Sequence, residues 1–129
     1  MTIKRYVANS DTTITNAFEE NLTTRGTGSN MGASDILETF SIYGQQTTSS
    51  AELSRILIQF PIDRLSSDRD DSNIPASGSV NFYLRMFNAR HSEQLPRDFT
   101  LNVLAVSSSW EEGYGLDMEG YTDETKDGI

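Results

Sequence analysis

Residues 54–62 decide the fold of this chain, and they read Ser54-Arg55-Ile56-Leu57-Ile58-Gln59-Phe60-Pro61-Ile62. Ile56, Ile58 and Phe60 lie on one side of a period-two pattern, which is typical of a β-strand with one buried face. Pro61 has no backbone N–H to donate, so we predict that the strand ends near this proline. The rival interpretation is a helix beginning in residues 51–55, which read Ala-Glu-Leu-Ser-Arg.

Five other stretches have the composition of strands or short extended segments. They are residues 3–8, residues 12–15, residues 36–43, residues 80–87 and residues 99–106. The clearest alternation lies in residues 80–87, where Phe82, Leu84 and Met86 share one face with Val80. Several strands with long polar connections predict an all-β fold, an antiparallel β-sandwich closed as a jelly roll.

The connections between these strands are predicted to lack regular structure. Residues 16–22 have enough helix formers for one helical turn at most, and residues 66–73 are predicted to be a charged loop. Gly26, Gly28 and Gly32 lie in a stretch of Thr, Ser and Asn, where we expect them to supply positive φ angles. They do not form a phosphate loop, because no Lys-Ser/Thr pair follows them.

Length and composition restrict the class of protein. A chain of 129 residues is enough for one domain, residues 1–129, in which residues 111–129 form an acidic, loosely structured C-terminal segment. The net charge of −9 argues against nucleic-acid binding, which needs a basic surface. The absence of cysteine excludes a disulfide scaffold and thiolate chemistry. No run of eighteen apolar residues could span a membrane.

The N-terminal residues, Met1-Thr2-Ile3-Lys4-Arg5, lack the apolar region of a signal peptide, which predicts a protein made and kept in a cytoplasm or released by lysis. The predicted core is formed by the inward faces of the strands. Its members are Phe40, Ile56, Ile58, Phe60, Phe82 and Leu84.

The candidate chemical sites favour a non-enzymatic protein without cofactor or metal. His91 has no partner at a catalytic or metal-ligand spacing and is predicted to be a solvated loop residue. Residues 68–73 place oxygen ligands at alternate positions, but they lack the glycine and the closing glutamate of a calcium loop. An acidic group near the C-terminus could hold a carboxylate pair, yet little apolar sequence surrounds it to raise a pKa. Its members are Glu111, Glu112, Asp117, Glu119 and Asp123.

Three aromatic residues could present a flat surface to a sugar. Trp110 is the single tryptophan, and Tyr114 and Tyr121 lie close to it in sequence. A tryptophan after a strand is more often a core anchor whose N–H finds a partner. The sequence therefore favours a core position for Trp110 and leaves a glycan platform of Trp110, Tyr114 and Tyr121 as the alternative.

Four segments together resemble a known family. Residues 30–37 resemble its Asn-x-Gly-x-Ser-x-x-Leu motif before an early strand, and residues 55–62 resemble its Arg-x-Leu-Leu-x-Phe-Asp-Leu strand, with Pro61 in place of the Asp. Residues 74–87 resemble its long alternating strand, and residues 106–113 resemble its Val-x-x-Ser-Trp-x-Glu-Gly corner. Together they resemble the DNRLRE-type jelly-roll domain, which is related to carbohydrate-binding modules and occurs in variant form in virion proteins of tailed phages.

The resemblance implies a virion structural protein, assembled in the host cytoplasm, whose partners are other virion proteins and copies of itself. A head-decoration, neck, tail or fibre protein would fit, with no nucleic acid and no membrane as partner. Such domains continue with further strands beyond the Trp corner, whereas the sequence stops at Ile129. The sandwich is therefore expected to be incomplete at its C-terminal edge, because the chain is a fragment or because another chain completes it. The alternative function is a carbohydrate-binding module that attaches to a surface glycan.

Overall fold

The computed structural model describes residues 3–27, 30–44, 46–91 and 97–117. The chain divides into two units. Residues 1–80 and 112–129 form the first unit, which we call the body, and residues 81–111 form the second, which we call the arm.

The body contains a three-stranded antiparallel sheet. Its strands are β1 (Ser10–Thr15), β2 (Ser41–Tyr43) and β3 (Ala51–Gln59), in the order β1-β3-β2. The strand predicted around residues 54–60 is therefore confirmed as the central strand, and so is the extended segment at 12–15. The helix considered for residues 51–55 is wrong, because these residues pair with both neighbouring strands.

One face of the sheet carries Ile56 and Ile58 of β3, which are partly buried. Thr13 lies opposite Ile56 and Ile42 lies opposite Glu52, so these four side chains project to the same side. Thr13 and Glu52 are each only 2% exposed, and Ile56 is half-buried. The face chosen from the alternation of β3 is thus the more covered one.

The buried apolar residues of the described chain lie outside the strands of the sheet. They are Ala17, Phe18 and Ile74. Phe18 forms a single β-bridge with Arg25, whose guanidinium carbon lies 3.8 Å from the centre of the Phe18 ring. Four members of the predicted core, Phe40, Ile56, Ile58 and Phe60, are half-buried. Phe82 and Leu84 are exposed, so their placement in the core is wrong for the isolated chain.

A helix, α1 (Ile62–Asp70), includes residues 66–70 of the loop predicted at residues 66–73. Pro61 occupies the N-cap position with a φ of −72°, a value suited to a helix start, and it needs no hydrogen-bond acceptor for a backbone N–H. Asp63 in the first turn and Arg69 in the last turn both complement the helix dipole. The polar residues that suggested a loop therefore belong to a short solvated helix.

Two other strand predictions fail within the body. Residues 3–8 are irregular, although Asn9 N–H donates to the carbonyl of Gln59 at the end of β3. Only residues 41–43 of the predicted strand 36–43 are paired. Both segments have the composition of strands, so composition alone does not decide pairing.

The predicted role of the glycines also changes. Positive φ angles occur at Gly44, Gly78 and Gly113, and not at Gly26 or Gly32. A Cβ atom at Gly32 would instead collide with the backbone carbonyl of Glu112. Gly32 is thus needed for a close approach of two backbones. Gly28 lies outside the described residues.

In the arm, no strand is present among residues 81–91 and 97–111. The strands predicted at 80–87 and 99–106 are therefore wrong for the isolated chain, despite their clear alternation. Across the described residues, no helix is long and apolar enough to cross a membrane.

Candidate assembly surface

The arm exposes a large number of apolar side chains in two alternating segments. We call residues 81–87 segment A and residues 99–106 segment B. Side chains with at least 43% of their surface exposed are Phe82, Tyr83, Leu84, Met86, Phe87, Phe99, Leu101, Val103, Leu104 and Val106. Exposed apolar residues this numerous and this close in sequence mark an interaction surface more often than a solvated one.

The backbone of the arm is unpaired as well. Within the described arm, residues 81–91 and 97–111, no backbone N–H donates to a backbone carbonyl of another arm residue. The guanidinium of Arg85 lies 4.9 Å from the centre of the Phe87 ring, a contact within segment A. Alternation supplies a strand with two distinct faces, but a strand forms only when a second strand accepts its hydrogen bonds. Segments A and B therefore have the alternation of strands, and no strand among the described residues pairs with them.

Hydrogen bonds hold the residues that directly follow the arm. The backbone N–H of Asp11 donates to Glu112 Oε1 at 2.8 Å. Gly115 N–H donates to Asn30 Oδ1 at 2.8 Å, and Ala33 N–H donates to the carbonyl of Gly115 at 2.8 Å. Residues 112–115 are thereby fixed to the first half of the body.

The chain is also held where it enters the arm. Ile74 is 8% exposed, and its N–H donates to the carbonyl of Asp68 at 3.1 Å. Both ends of the arm therefore join parts of the body that are held by hydrogen bonds. The arm is an internal segment of the chain and not a terminus.

Glu112 also protects an edge of the sheet. β1 is an edge strand, and Asn16, which follows it, donates its N–H to the carbonyl of Leu53. Because ladder bonds alternate along an antiparallel strand, the N–H of Asp11 points away from β3 and would be free to pair with another strand. The Glu112 carboxylate occupies it, so part of the β1 edge is closed to strand addition. Glu112 is accordingly half-buried.

Asp68, a member of the possible cation loop, is occupied by side chains. Its Oδ1 accepts from Lys4 Nζ at 2.6 Å and from Asn73 Nδ2 at 3.2 Å, and its Oδ2 accepts from the Tyr6 hydroxyl at 2.8 Å. The hydrogen bonds from Lys4 and then Tyr6 lower the pKa of Asp68. The pKa of Tyr6 is raised, first by partial burial and second by its hydrogen bond to Asp68. Asp68 thus fixes the N-terminal segment to α1.

The part of the chain that the structure describes contains no group of three His, Cys, Asp or Glu side chains able to hold a metal ion. His91 is exposed in the arm. Of the acidic group near the C-terminus, Glu119 and Asp123 lie outside the described residues.

The aromatic residues considered for a glycan platform are divided between the two units. Trp110 belongs to the arm and is half-buried, whereas Tyr114 belongs to the body and is 60% exposed. Tyr121 lies outside the described residues. The two interpretations of Trp110, core anchor and ligand platform, both stay predictions.

One buried carboxylate, that of Glu52, was not predicted from the sequence. Glu52 on β3 is 2% exposed, and its Oε2 accepts the backbone N–H of Phe18 at 2.9 Å. Its contact joins residues 34 positions apart. A carboxylate in phase with Ile56 and Ile58, on the face predicted to be buried, is the signal that could have identified it.

No protein-family model, no curated protein and no solved structure matches this chain. The resemblance to the DNRLRE-type domain therefore rests on the sequence motifs given above.

Proposed function

We propose that this chain is a non-enzymatic structural protein of a tailed-phage virion, assembled in the host cytoplasm. It acts through contacts with other virion proteins and with copies of itself. The observation that carries the proposal is the arm, where two strand-like segments expose apolar side chains and leave the backbone unpaired. Such segments require a protein partner, and a subunit of an assembly meets that partner in its normal state.

The proposal includes a finer fold than the three-stranded sheet. In the assembly, segments A and B become strands, and the sheet of the body becomes one layer of an antiparallel, jelly-roll-like β-sandwich. Exposed apolar residues on the second face of the sheet support this. Ile14, Tyr43 and Leu53 lie on that face with 43%, 74% and 39% of their surface exposed. A second layer would remove these side chains from water.

The glycan-binding alternative is favoured by the exposure of Tyr114, since an accessible aromatic ring can stack on a sugar. It predicts a well-folded monomer that is retained on a polysaccharide column. Replacement of Tyr114 by Ala should then abolish the retention.

Light scattering over a concentration series distinguishes the two functions. A structural subunit is expected to form a stable dimer or a larger oligomer at micromolar concentration, with no retention on the polysaccharide. A monomer at every concentration that binds the polysaccharide through Tyr114 would overturn the structural function in favour of the glycan-binding one.

A further inference from the structure

The charges of the chain divide sharply between its two units. The arm, residues 81–111, contains three arginines and three acidic residues, so its formal charge is zero. The whole net charge of −9 therefore belongs to the body. Two bodies repel each other, whereas two arms can approach without this cost. Contacts between copies are thus favoured at the arm.

Charge also differs between the two halves of the arm. Residues 81–91 contain Arg85 and Arg90 and no acidic residue. Residues 97–111 contain Asp98 and Glu111 against Arg97. Segment A contains Arg85, so pairing of segment A with segment A would bring two like charges together, whereas segment B contains no charged residue. Pairing of A with B places no like charges opposite each other.

We propose that segment A of one copy pairs with segment B of a second copy, and the reverse, to form an intersubunit β-sheet. This inference rests on the proposed function and names the partner of the arm as a second copy of the chain. Segment A of each copy pairs with segment B of the other. Two copies related by a two-fold axis therefore pair all four of their segments. It gives the unpaired backbone a ladder and shields the apolar faces from water.

The absence of cysteine makes a disulfide test unambiguous, because every disulfide then joins two engineered positions. Asn81→Cys and Asn88→Cys place a thiol at exposed polar positions in or beside segment A, and Thr100→Cys and Asn102→Cys do so in segment B. Copies with a cysteine near A and differently tagged copies with a cysteine in B are mixed in all four combinations and oxidised. A disulfide forms where the two Cα atoms approach within about 4–7 Å.

We expect at least one combination to give disulfides between A and B above the share that random collision produces. The matched control is Ser66→Cys, at an exposed position on α1 of the body. Yields between A and B no higher than those with Ser66→Cys would overturn the proposal. So would a double variant, Asn81→Cys with Asn102→Cys, that closes a disulfide within one chain at every dilution, since the arm would then pair with itself.

The two proposals fail differently in these experiments. A stable oligomer without A–B disulfides leaves the structural function standing and overturns the exchange of segments. A–B disulfides in a dimer that forms no larger assembly and binds polysaccharide support the exchange and overturn the virion function.

Discussion

Asp68 links the N-terminal segment to α1 through Lys4 and Tyr6, and this link makes a prediction for stability against pH. The pKa of Asp68 is lowered in the folded protein from an unfolded value of about 3.9. The stabilisation is therefore complete above the unfolded pKa and is lost as pH falls through the lower folded pKa. Denaturant titrations between about pH 5 and pH 2 should show this loss.

The variant Asp68→Asn should remove that part of the acid dependence, because the amide does not ionise. Asp70→Asn on the same helix is the matched control, since Asp70 is exposed. An acid limb that is equally steep in Asp68→Asn and in the unmodified chain would contradict the role assigned to Asp68.

Gly32 makes a second prediction at the scale of a residue. A Cβ in Gly32→Ala would collide with the backbone carbonyl of Glu112. Because this neighbour is backbone, it can move away only if the contact between residues 30–33 and 112–115 opens. We expect a loss of about 1–3 kcal/mol in the free energy of unfolding, the usual cost of overpacking. Thr48→Ala, in the exposed loop between β2 and β3, should change it by less than about 0.5 kcal/mol. Equal stability of the two variants would disprove the close approach.

These residue contacts lie beyond what the sequence could predict. Glu112 and Asp11 are 101 positions apart, and Glu52 reaches Phe18 across 34 positions. Local patterns report the period of an element and the chemistry of a turn, but they do not report which distant backbone group a carboxylate will reach. The sequence therefore placed Glu112 only in an acidic, loosely structured C-terminal segment.

At the scale of elements, α1 tests the correction to the loop prediction. Ser66→Pro places a proline inside the helix, where it removes a hydrogen bond and collides with the preceding turn, at a cost of about 3 kcal/mol. Ser66→Ala removes the same hydroxyl and should be neutral or slightly stabilising, since alanine is the better helix former. Near-equal unfolding midpoints for the two variants in urea would mean that residues 62–70 are a loop after all.

The half-buried Phe60 and the exposed Phe82 should respond differently to truncation. Phe60→Ala is expected to lower the stability of the isolated chain by about 1.5–3 kcal/mol, less than the cost of a fully buried phenylalanine. Phe82, 65% exposed in the arm, should leave the unfolding of the isolated chain almost unchanged when replaced by Ala. The same change should weaken self-association in a dilution series. A stability loss for Phe82→Ala in dilute monomer matching that of Phe60→Ala would place segment A inside a folded core.

The elements show where the sequence was informative. β3 was predicted correctly because its apolar period coincides with neighbours that the chain itself supplies, β1 and β2. Segment A has a clearer alternation than β1, yet it forms no strand in the isolated chain. The alternation of apolar residues predicts that a segment can form a strand. It does not identify the second strand with which that segment pairs.

At the scale of the molecule, the separation of an acidic body from a neutral apolar arm is the feature that favours assembly. The body alone has few buried apolar residues, and much of the chain's apolar surface lies in the arm. Association through the arm would remove that apolar surface from water, and the arm brings no net charge to the contact. The antiparallel strands were accessible from the sequence, whereas the division into body and arm was not, because segments A and B alternate just as strands of a folded core do.

Hydrogen exchange of the arm amides, measured by mass spectrometry in dilute and in concentrated samples, is the decisive experiment. In the dilute monomer, amides of segments A and B should exchange at nearly the rate of an unstructured chain, while amides of β3 stay protected. In the concentrated sample, segments A and B should gain protection together, because each accepts the other's backbone hydrogen bonds. Equal protection of both segments at the two concentrations would show that the arm is paired within a single copy, and assembly through the arm would then be wrong.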